Sequence, residues 1–238
     1  MVDKDSHSHH ISQQFNLELE EVRTHLLEMG GMVEIQVRDA IKSLVDSDSG
    51  IASEVKVGDK TVNAMEVSID EECARIIALR QPAASDLRLV IAISKIVIDL
   101  ERIGDEAGKI ATQAINLIES GEAPRGFTEI RHIGNHVTYM VRDALSAFAR
   151  LDVDTALAVA QEDKLVDKEY SSAMRSIITY MMEDPRTISE MLNVLWTLRS
   201  LERIGDHARN IAEHVIFLVK GKDVRHIGLT KMAEEVKS

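Results

Sequence analysis

The sequence L-E-R-I-G-D-E-A-G-K-I-A, residues 100–111, returns as L-E-R-I-G-D-H-A-R-N-I-A at residues 201–212. The first six residues are identical at a spacing of 101 residues. Each copy carries a glutamate and an aspartate four residues apart, and a helix places such residues side by side. Like charges at this spacing destabilise an isolated helix by about 0.2–0.5 kcal/mol. A pair that is unfavourable by itself and yet occurs twice indicates a function for its carboxylates.

Three further matches show that a longer segment is duplicated. V-R-D-A occurs at residues 37–40 and 141–144, and Asp59-Lys60 matches Asp163-Lys164 at the same offset of 104. Pro82 and Pro185 follow at an offset of 103. Matches in the same order, with offsets that fall only from 104 to 101, indicate a repeated module of about a hundred residues.

Each module is predicted to contain three helices, because apolar residues recur at helical spacing and no stretch alternates with period two. The predicted helices cover residues 11–45, 51–79, 87–118, 127–150, 154–183 and 186–220. We therefore expect an all-α protein made of two tandem, pseudo-symmetric antiparallel three-helix bundles. The first domain is predicted at 1–122 and the second at 123–238, with a polar tail that frays after Lys220.

Local signals add detail to this architecture. Ser85 is predicted to cap the third helix, and Pro185 suits the first turn of the sixth. Gly30 and Gly31 lie inside the first helix, where they predict either a kink or an unusually close neighbour. The segment S-G-E-A-P-R-G, residues 120–126, is predicted to join the two modules.

Composition limits the possible functions of the chain. A net charge of −12 argues against affinity for nucleic acid or for anionic membranes. Cys73 is the only cysteine, which excludes an internal disulfide and a multi-thiolate metal site. The most apolar run, residues 87–100, is shorter than the roughly 20 residues that span a bilayer. We expect a cytoplasmic protein that reaches membranes only through partner proteins.

A helical wheel separates the residues of the third helix into three groups. The predicted core face contains Leu100, Ile103, Ala107, Ile110, Ala111 and Ala114. The face predicted to meet water contains Asp99, Arg102, Glu106 and Gln113. Glu101 and Asp105 fall on the flank between them, beside Ser94, Gly104, Gly108 and Thr112. These small neighbours would let an ion, a ligand or another helix approach the two carboxylates.

Two interpretations of this flank remain open from the residues alone. It could be an ordinary solvated surface, on which Asp105 pairs with Lys109. The second copy has Asn210 in place of that lysine, so this interpretation explains one copy better than the other. Alternatively, the paired carboxylates ligate a cation, and oxygen ligands suit Mg²⁺, Ca²⁺, Mn²⁺ or iron.

Further ligands for such a cation would come from neighbouring helices. Glu66 and Asp70 repeat the spacing in the first module, and Asp163 and Asp167 repeat it in the second. Asp59 and Asn63 extend the first stripe along the same face, whereas Tyr170 and Met174 replace Glu66 and Asp70 at the offset of 104. The two sites are therefore predicted to differ in their ligands.

Catalytic motifs are poorly represented. A ferritin-like di-iron oxidase needs two E-x-x-H motifs, and Glu129–His132 supplies one, outside the repeat, which we interpret as a chance match. Nothing resembles a phosphate-binding glycine loop or a nucleophile elbow. We therefore expect that the chain is not an enzyme. The alternatives are a carboxylate-bridged metalloenzyme or metal-storage bundle, and a structural bundle without a ligand.

The chain resembles the PhoU family along nearly its whole length. The resemblance is carried by M-E-V-S-I-D-E-E-C at 65–73, R-Q-P-A-A-S-D-L-R-L-V at 80–90, both E-R-I-G-D copies, and Y-M-M-E-D at 180–184. It implies two three-helix bundles with pseudo-twofold symmetry, usually in a homodimer. It also implies a negative regulator of the phosphate-starvation (Pho) response, which connects the ATPase subunit of a phosphate-specific ABC transporter to a sensor histidine kinase.

The resemblance also implies surface metal clusters that are held by E(D)xxxD motifs. The matching positions here are Glu101, Asp105, Glu202 and Asp206, with Glu66, Asp70, Asp163 and Asp167 as further matches. The expected cofactors are divalent or trivalent ions, namely Mg, Mn, Fe or Zn. We expect such an ion to tune docking to partners rather than to catalyse a reaction.

Overall fold

A computed structural model describes residues 4–121 and 127–237, and the side chains of 13–119, 121 and 128–237. The six predicted helices are all present, and no described residue forms a strand. Their bounds are α1 Lys4–Val45, α2 Ser49–Arg80, α3 Ala84–Ser120, α4 Phe127–Arg150, α5 Val153–Glu183 and α6 Ile188–Lys220. Residues 122–126 of the predicted joint at 120–126, together with the predicted domain boundary, lie outside the described residues.

The all-α prediction is confirmed, and the two bundles meet along their third helices. α3 packs against α1 and α2, α6 packs against α4 and α5, and α3 and α6 also pack extensively against each other. The predicted core face of α3 is fully buried at Leu100, Ile103, Ala107 and Ile110. The carboxylate pairs of α3 and α6 are therefore carried by the two most central helices.

Matching turns start the second helix of each module. Asp48 accepts hydrogen bonds from the backbone N–H groups of Gly50 and Ile51, and Asp152 does the same for Asp154 and Thr155. The residues before these caps, Ser47 and Leu151, share the same positive φ of 54°. Equivalent residues at an offset of 104 thus adopt the same capped turn, as expected for a duplicated module.

Two local predictions were wrong. Ser85 does not cap α3, because the helix begins one residue before it and its N-cap, Ala83, makes no side-chain hydrogen bond. The tail after Lys220 does not simply fray, since a short helix, α7, covers Leu229–Lys237. Met232 and Val236 are buried where α7 packs on α5 and α6. A few apolar residues in a polar segment were enough to fold it against the body. By contrast, Pro185 begins the 3₁₀ turn that leads into α6, close to its predicted place.

The glycine pair in α1 produces close packing and no break in the helix. A Cβ atom on Gly30 would lie 2.5 Å from Leu145 Cδ2 on α4. The equivalent glycine of α4, Gly134, meets Ile41 on α1 in the same way, with a Cβ distance of 3.0 Å. The two modules therefore touch through a symmetric pair of glycine contacts. A Cβ on Gly31 would meet nothing within 4 Å.

Alanine at these adjacent glycines should have opposite effects on stability. Gly30→Ala should lower the free energy of unfolding by about 1–2 kcal/mol, because overpacking costs about 1–3 kcal/mol and helix propensity returns part of it. Gly31→Ala should raise the free energy of unfolding by up to about 1 kcal/mol through propensity alone. Urea unfolding of both variants measures the difference, and equal effects would contradict the packing argument.

Candidate metal sites

Acidic cluster 1 lies where α2 packs against α3. It consists of Asp59, Glu66 and Asp70 on α2 with Glu101 and Asp105 on α3. A Cβ on Gly104 would lie 3.3 Å from Gln36 Oε1 on α1, 3.4 Å from Val62 Cγ1 and 3.9 Å from Asp59 Oδ1. The flank that carries the two acids of α3 is therefore in contact with both α1 and α2.

Repulsion within acidic cluster 1 is visible in its pKa values. Burial raises the pKa of Glu101, and the negative charge of Asp105 raises it further. The pKa of Asp59 is raised by burial and then by the same aspartate, although Asn63 lowers it slightly. Burial also raises the pKa of Glu66, with Asp70 as the next cause. Each carboxylate is therefore held close to others and partly away from water.

Few protein groups compensate this negative charge. Arg102 lies 3.4 Å from Glu101 Oε2 and 3.7 Å from Asp105 Oδ2, and its side chain is half exposed. Asp59 Oδ1 and Glu101 Oε2 are buried oxygen atoms that make no hydrogen bond to the described residues. Ser94 donates a hydrogen bond of 3.0 Å to Asp70, at the edge of the cluster. Oxygen lone pairs without donors are consistent with a cation ligand.

Acidic cluster 2 lies at the equivalent contact of α5 with α6. It consists of Asp163 and Asp167 on α5 with Glu202 and Asp206 on α6. Burial raises the pKa of Asp206, and Asp167 is the next cause. The pKa of Glu202 is raised by burial and then by Asp206. The two carboxylate pairs thus interact across the helix contact.

The second cluster has more positive charge around it than the first. Arg209 Nη1 donates a hydrogen bond of 3.1 Å to Asp163, which is almost fully buried. Arg199 pairs with Glu202 at 2.8 Å. Burial still raises the pKa of Asp163 despite its arginine partner. Asp163 and Glu202 thus have arginine partners, whereas Asp167 and Asp206 form no ion pair within the described residues.

The structure brings the predicted acids together and adds Asp59, which the sequence places on the same stripe but not among the predicted ligands. Asp59 belongs to cluster 1, and the offset of 104 from Asp163 is the sequence signal that identifies it. The pair expected for an ordinary solvated flank, Asp105 with Lys109, is not formed. Lys109 instead donates to Glu106 at 2.9 Å.

Two acids predicted to face water are buried. Asp99 and Glu106 are only 8% and 2% exposed, because α6 of the second module covers this face of α3. Asp99 accepts hydrogen bonds of 2.8 Å from His207 and 3.1 Å from Asn210. Glu106 pairs with Arg203 at 2.8 Å. The wheel of a single helix could not reveal a neighbour contributed by the other module.

The chemistry available to both clusters is that of hard oxygen ligands on two rigid helices. Such ligands suit Mg²⁺, Mn²⁺, Ca²⁺ or iron, and a bound cation would offset the repulsion that raises the pKa values. Coordination by carboxylates from two helices would also hold those helices together.

Comparison with known proteins gives matches along the whole chain. A sequence model of the PhoU domain matches residues 26–114 and 130–215, one match in each module. The Pseudomonas aeruginosa protein named phosphate-specific transport system accessory protein PhoU homolog is 67% identical over 238 residues, which cover 100% of this chain and 98% of that protein. The Escherichia coli phosphate-specific transport system accessory protein PhoU is 52% identical over 219 residues, covering 92% of this chain and 90% of that protein.

Solved structures agree with these sequence matches. The crystal structure of PhoU from Pseudomonas aeruginosa superposes with a TM-score of 0.86 at 66% identity, covering 87% of this chain and 100% of the solved one. The phosphate transport system regulatory protein PhoU from Streptococcus pneumoniae gives a TM-score of 0.82 at 30% identity, covering 88% and 99%. No helix in the described part of the chain has the long apolar stretch that crossing a membrane requires.

Proposed function

Because the chain belongs to the PhoU family, we propose that it is an accessory regulator of phosphate transport that restrains the phosphate-starvation response. In this role it links the ATPase subunit of a phosphate-specific ABC transporter to a sensor histidine kinase. When phosphate is plentiful, the linked kinase does not activate its response regulator, and phosphate uptake stays low.

The observation that carries this proposal is the extent of the match to named relatives. Both modules, the order of the helices and nearly the full length agree with proteins that are named accessory or regulatory proteins of phosphate transport. An adaptor needs broad, stable surfaces, and long helices packed in two bundles provide them. The link to the kinase itself rests on the family resemblance.

We further propose that the acidic clusters bind divalent or trivalent cations. Glu101, Asp105, Glu66 and Asp59 would hold an ion in cluster 1, and Glu202, Asp206, Asp167 and Asp163 would hold one in cluster 2. The ion supplies positive charge, and the carboxylates fix it on the surface between two helices. A partner would then meet a face whose charge depends on the supply of the ion.

The relatives' names favour regulation over catalysis, so we propose that the chain acts by binding. A metalloenzyme or a metal-storage bundle is the alternative that would use the same carboxylates. Hydrolysis of phosphate esters or oxidation of ferrous iron by the purified protein would favour that alternative. We also expect a homodimer in the cytoplasm, and light scattering on the purified protein measures the first of these properties.

A reporter strain tests the regulatory role. The gene is deleted from its host, and a phosphate-starvation promoter is followed in phosphate-rich medium. Deletion should switch the promoter on, and a plasmid copy of this chain should switch it off again. A promoter that ignores the deletion would refute the proposal of a negative regulator.

Affinity capture tests the adaptor role separately. The tagged chain is recovered after crosslinking from phosphate-rich and phosphate-starved cells, and the transporter ATPase and the kinase are quantified by mass spectrometry. We expect both proteins to be enriched over a tag-only control. Enrichment of neither protein in either medium would contradict the adaptor role, even if the promoter responds.

A further inference from the structure

Three metal-ligating side chains from two helices meet at a place that shares no residue with either acidic cluster. His132 and His136 lie on α4, Glu169 lies on α5, and one ligand atom from each falls within 4.8 Å of the other two. His132 Nε2 is 3.1 Å from Glu169 Oε1, and His136 Nδ1 is 3.4 Å from Glu169 Oε2. Glu169 follows Asp167 of cluster 2 by two positions, so the two side chains point to different sides of α5.

The two histidine–glutamate distances, 3.1 and 3.4 Å, suit a tetrahedral ion. Ligands about 2.0–2.1 Å from zinc lie roughly 3.3–3.4 Å from one another. The two histidines are at positions i and i+4 on one face of a helix. Metal-binding helices use this arrangement to present two imidazoles. Their ring centres are 4.7 Å apart and the rings are tilted by 49°, so a small adjustment would aim both at one point.

Hydrogen bonding does not account for this cluster. His136 Nδ1 and Glu169 Oε2 are shielded from solvent, and neither atom makes a hydrogen bond within the described residues. An ion pair would normally align an N–H group with the carboxylate at this distance. Two buried polar atoms that face each other without a hydrogen bond are the atoms that a shared metal ion would satisfy.

The cluster belongs to one module only. At the offset of 104, the positions of His132, His136 and Glu169 are held in the first module by Glu28, Met32 and Met65. The grooves of the two modules are otherwise built alike: Met32 and Gly58 line one, and His136 and Glu162 line the other. Met32, Met65 and Gly58 of the first copy are thus replaced by metal-ligand types in the second, while Glu28 exchanges one ligand type for another.

We propose that His132, His136 and Glu169 form a binding site for a divalent transition-metal ion of the zinc type. Two imidazoles and one carboxylate are a ligand set that zinc sites use, with a further position left for water. Glu162 Oε1 lies 3.5 Å from His136 Nδ1 and would be a further carboxylate beside the ion. The ion would join α4 to α5. This site is independent of the proposed regulatory role and of the oxygen-only clusters.

Zinc binding by the full-length chain tests the proposal once competing sites are removed. The N-terminal stretch contains three histidines, His7, His9 and His10, that could also bind a transition metal. The background variant replaces these three with glutamine and also carries Glu101→Gln, Asp105→Asn, Glu202→Gln and Asp206→Asn. Titration against a chromophoric chelator measures Zn²⁺, and X-ray absorption at the zinc edge counts imidazole ligands. We expect one equivalent of Zn²⁺ with two imidazoles, and an affinity that falls about tenfold or more in His136→Ala or Glu169→Gln.

A natural control exists in the first module. His25 Nδ1 hydrogen-bonds to Glu72 at 2.9–3.0 Å, so it is a single histidine–carboxylate pair across α1 and α2. His25→Ala should leave the zinc affinity unchanged, and circular dichroism checks that every variant is folded. Failure of the folded background variant to bind Zn²⁺ at micromolar concentration would overturn the proposal. Equal affinity in His136→Ala and its parent would overturn it as well.

Discussion

Replacing Asp99 with alanine should lower the free energy of unfolding by about 3 kcal/mol or more, because hydrogen bonds to a charged group contribute about 1.5–3 kcal/mol each. The carboxylate accepts from His207 at 2.8 Å and from Asn210 at 3.1 Å, and His214 Nε2 lies 3.6 Å away. Alanine would leave these groups buried between the modules without their acceptor. For a chain of this length, a loss of 3 kcal/mol corresponds to roughly 6–12 °C in Tm.

Asp99→Asn tests the contribution of the charge at this position, and Asp39→Asn is a control at another position. Asp99→Asn keeps the size and one acceptor oxygen, so it should cost less than alanine. Asp39→Asn, on the partly exposed face of α1, should change the free energy of unfolding by less than about 0.5 kcal/mol. Urea unfolding at neutral pH compares the three variants. An Asp99→Ala protein as stable as the Asp39→Asn protein would show that the cluster between the modules contributes little.

The contribution of Asp99 to the free energy of unfolding should decrease at acidic pH. Burial alone would raise the pKa of Asp99, but hydrogen bonds from His207, His214 and Asn210 outweigh it, and the net pKa is lowered. A lowered pKa in the folded state gives stability that is present above the unfolded value of about 4 and is lost as pH falls through the folded value. The stability gap between wild type and Asp99→Asn should therefore narrow below pH 4.

Sequence periodicity was sufficient to locate the helices but not to predict which helices pack against each other. The repeats and the turn residues located all six long helices, because each of those signals is local. The burial of Asp99 depends on His207 and Asn210, more than a hundred residues away. A wheel drawn for α3 alone assigns that face to water, since it contains polar residues. Long-range burial of a polar residue cannot be deduced from the residues beside it.

The same limit explains what could be predicted of the candidate sites. Glu101 and Asp105 lie four residues apart in one helix, and the same pair recurs in α6, so their pairing was visible in the sequence. Their contact with Asp59 depends on how α2 lies along α3. His132 was visible only as part of an isolated E-x-x-H match, since its nearest carboxylate partner, Glu169, is on another helix. Sites built within a helix are readable from spacing, whereas sites built between helices require the fold.

Removing the paired carboxylates should abolish the stabilisation by divalent metal and should raise the stability of the metal-free protein. The variant carries Glu101→Gln, Asp105→Asn, Glu202→Gln and Asp206→Asn. In chelator it should melt above the wild type, because raised pKa values mean that the folded state favours the uncharged forms. Amide side chains imitate those uncharged forms at every pH. The melting temperature of the wild type in chelator should approach that of the variant as pH falls, because its own carboxylates become protonated.

In saturating metal the wild type should melt at a higher temperature than the variant. An ion at one hundred times its Kd stabilises the folded state by about 2.7 kcal/mol per site, or roughly 5–11 °C in Tm for a chain of this size. The wild type has two clusters that can gain this stability, whereas the variant has lost two ligands from each. Scanning calorimetry in Mg²⁺ or Mn²⁺ and in chelator measures both proteins. Metal analysis after dialysis against Mg²⁺ should show bound Mg²⁺ in the wild type alone.

A matched control separates these sites from the general effect of net charge. The control variant removes the same four negative charges from exposed positions outside the clusters, through Glu21→Gln, Asp46→Asn, Glu54→Gln and Asp143→Asn. It should keep the full response to metal, because both clusters are intact, and should gain little stability in chelator. If the control and the cluster variant lost the response equally, diffuse surface charge would explain it. If neither lost it, the ion would be held elsewhere and the carboxylate pairs would need another explanation.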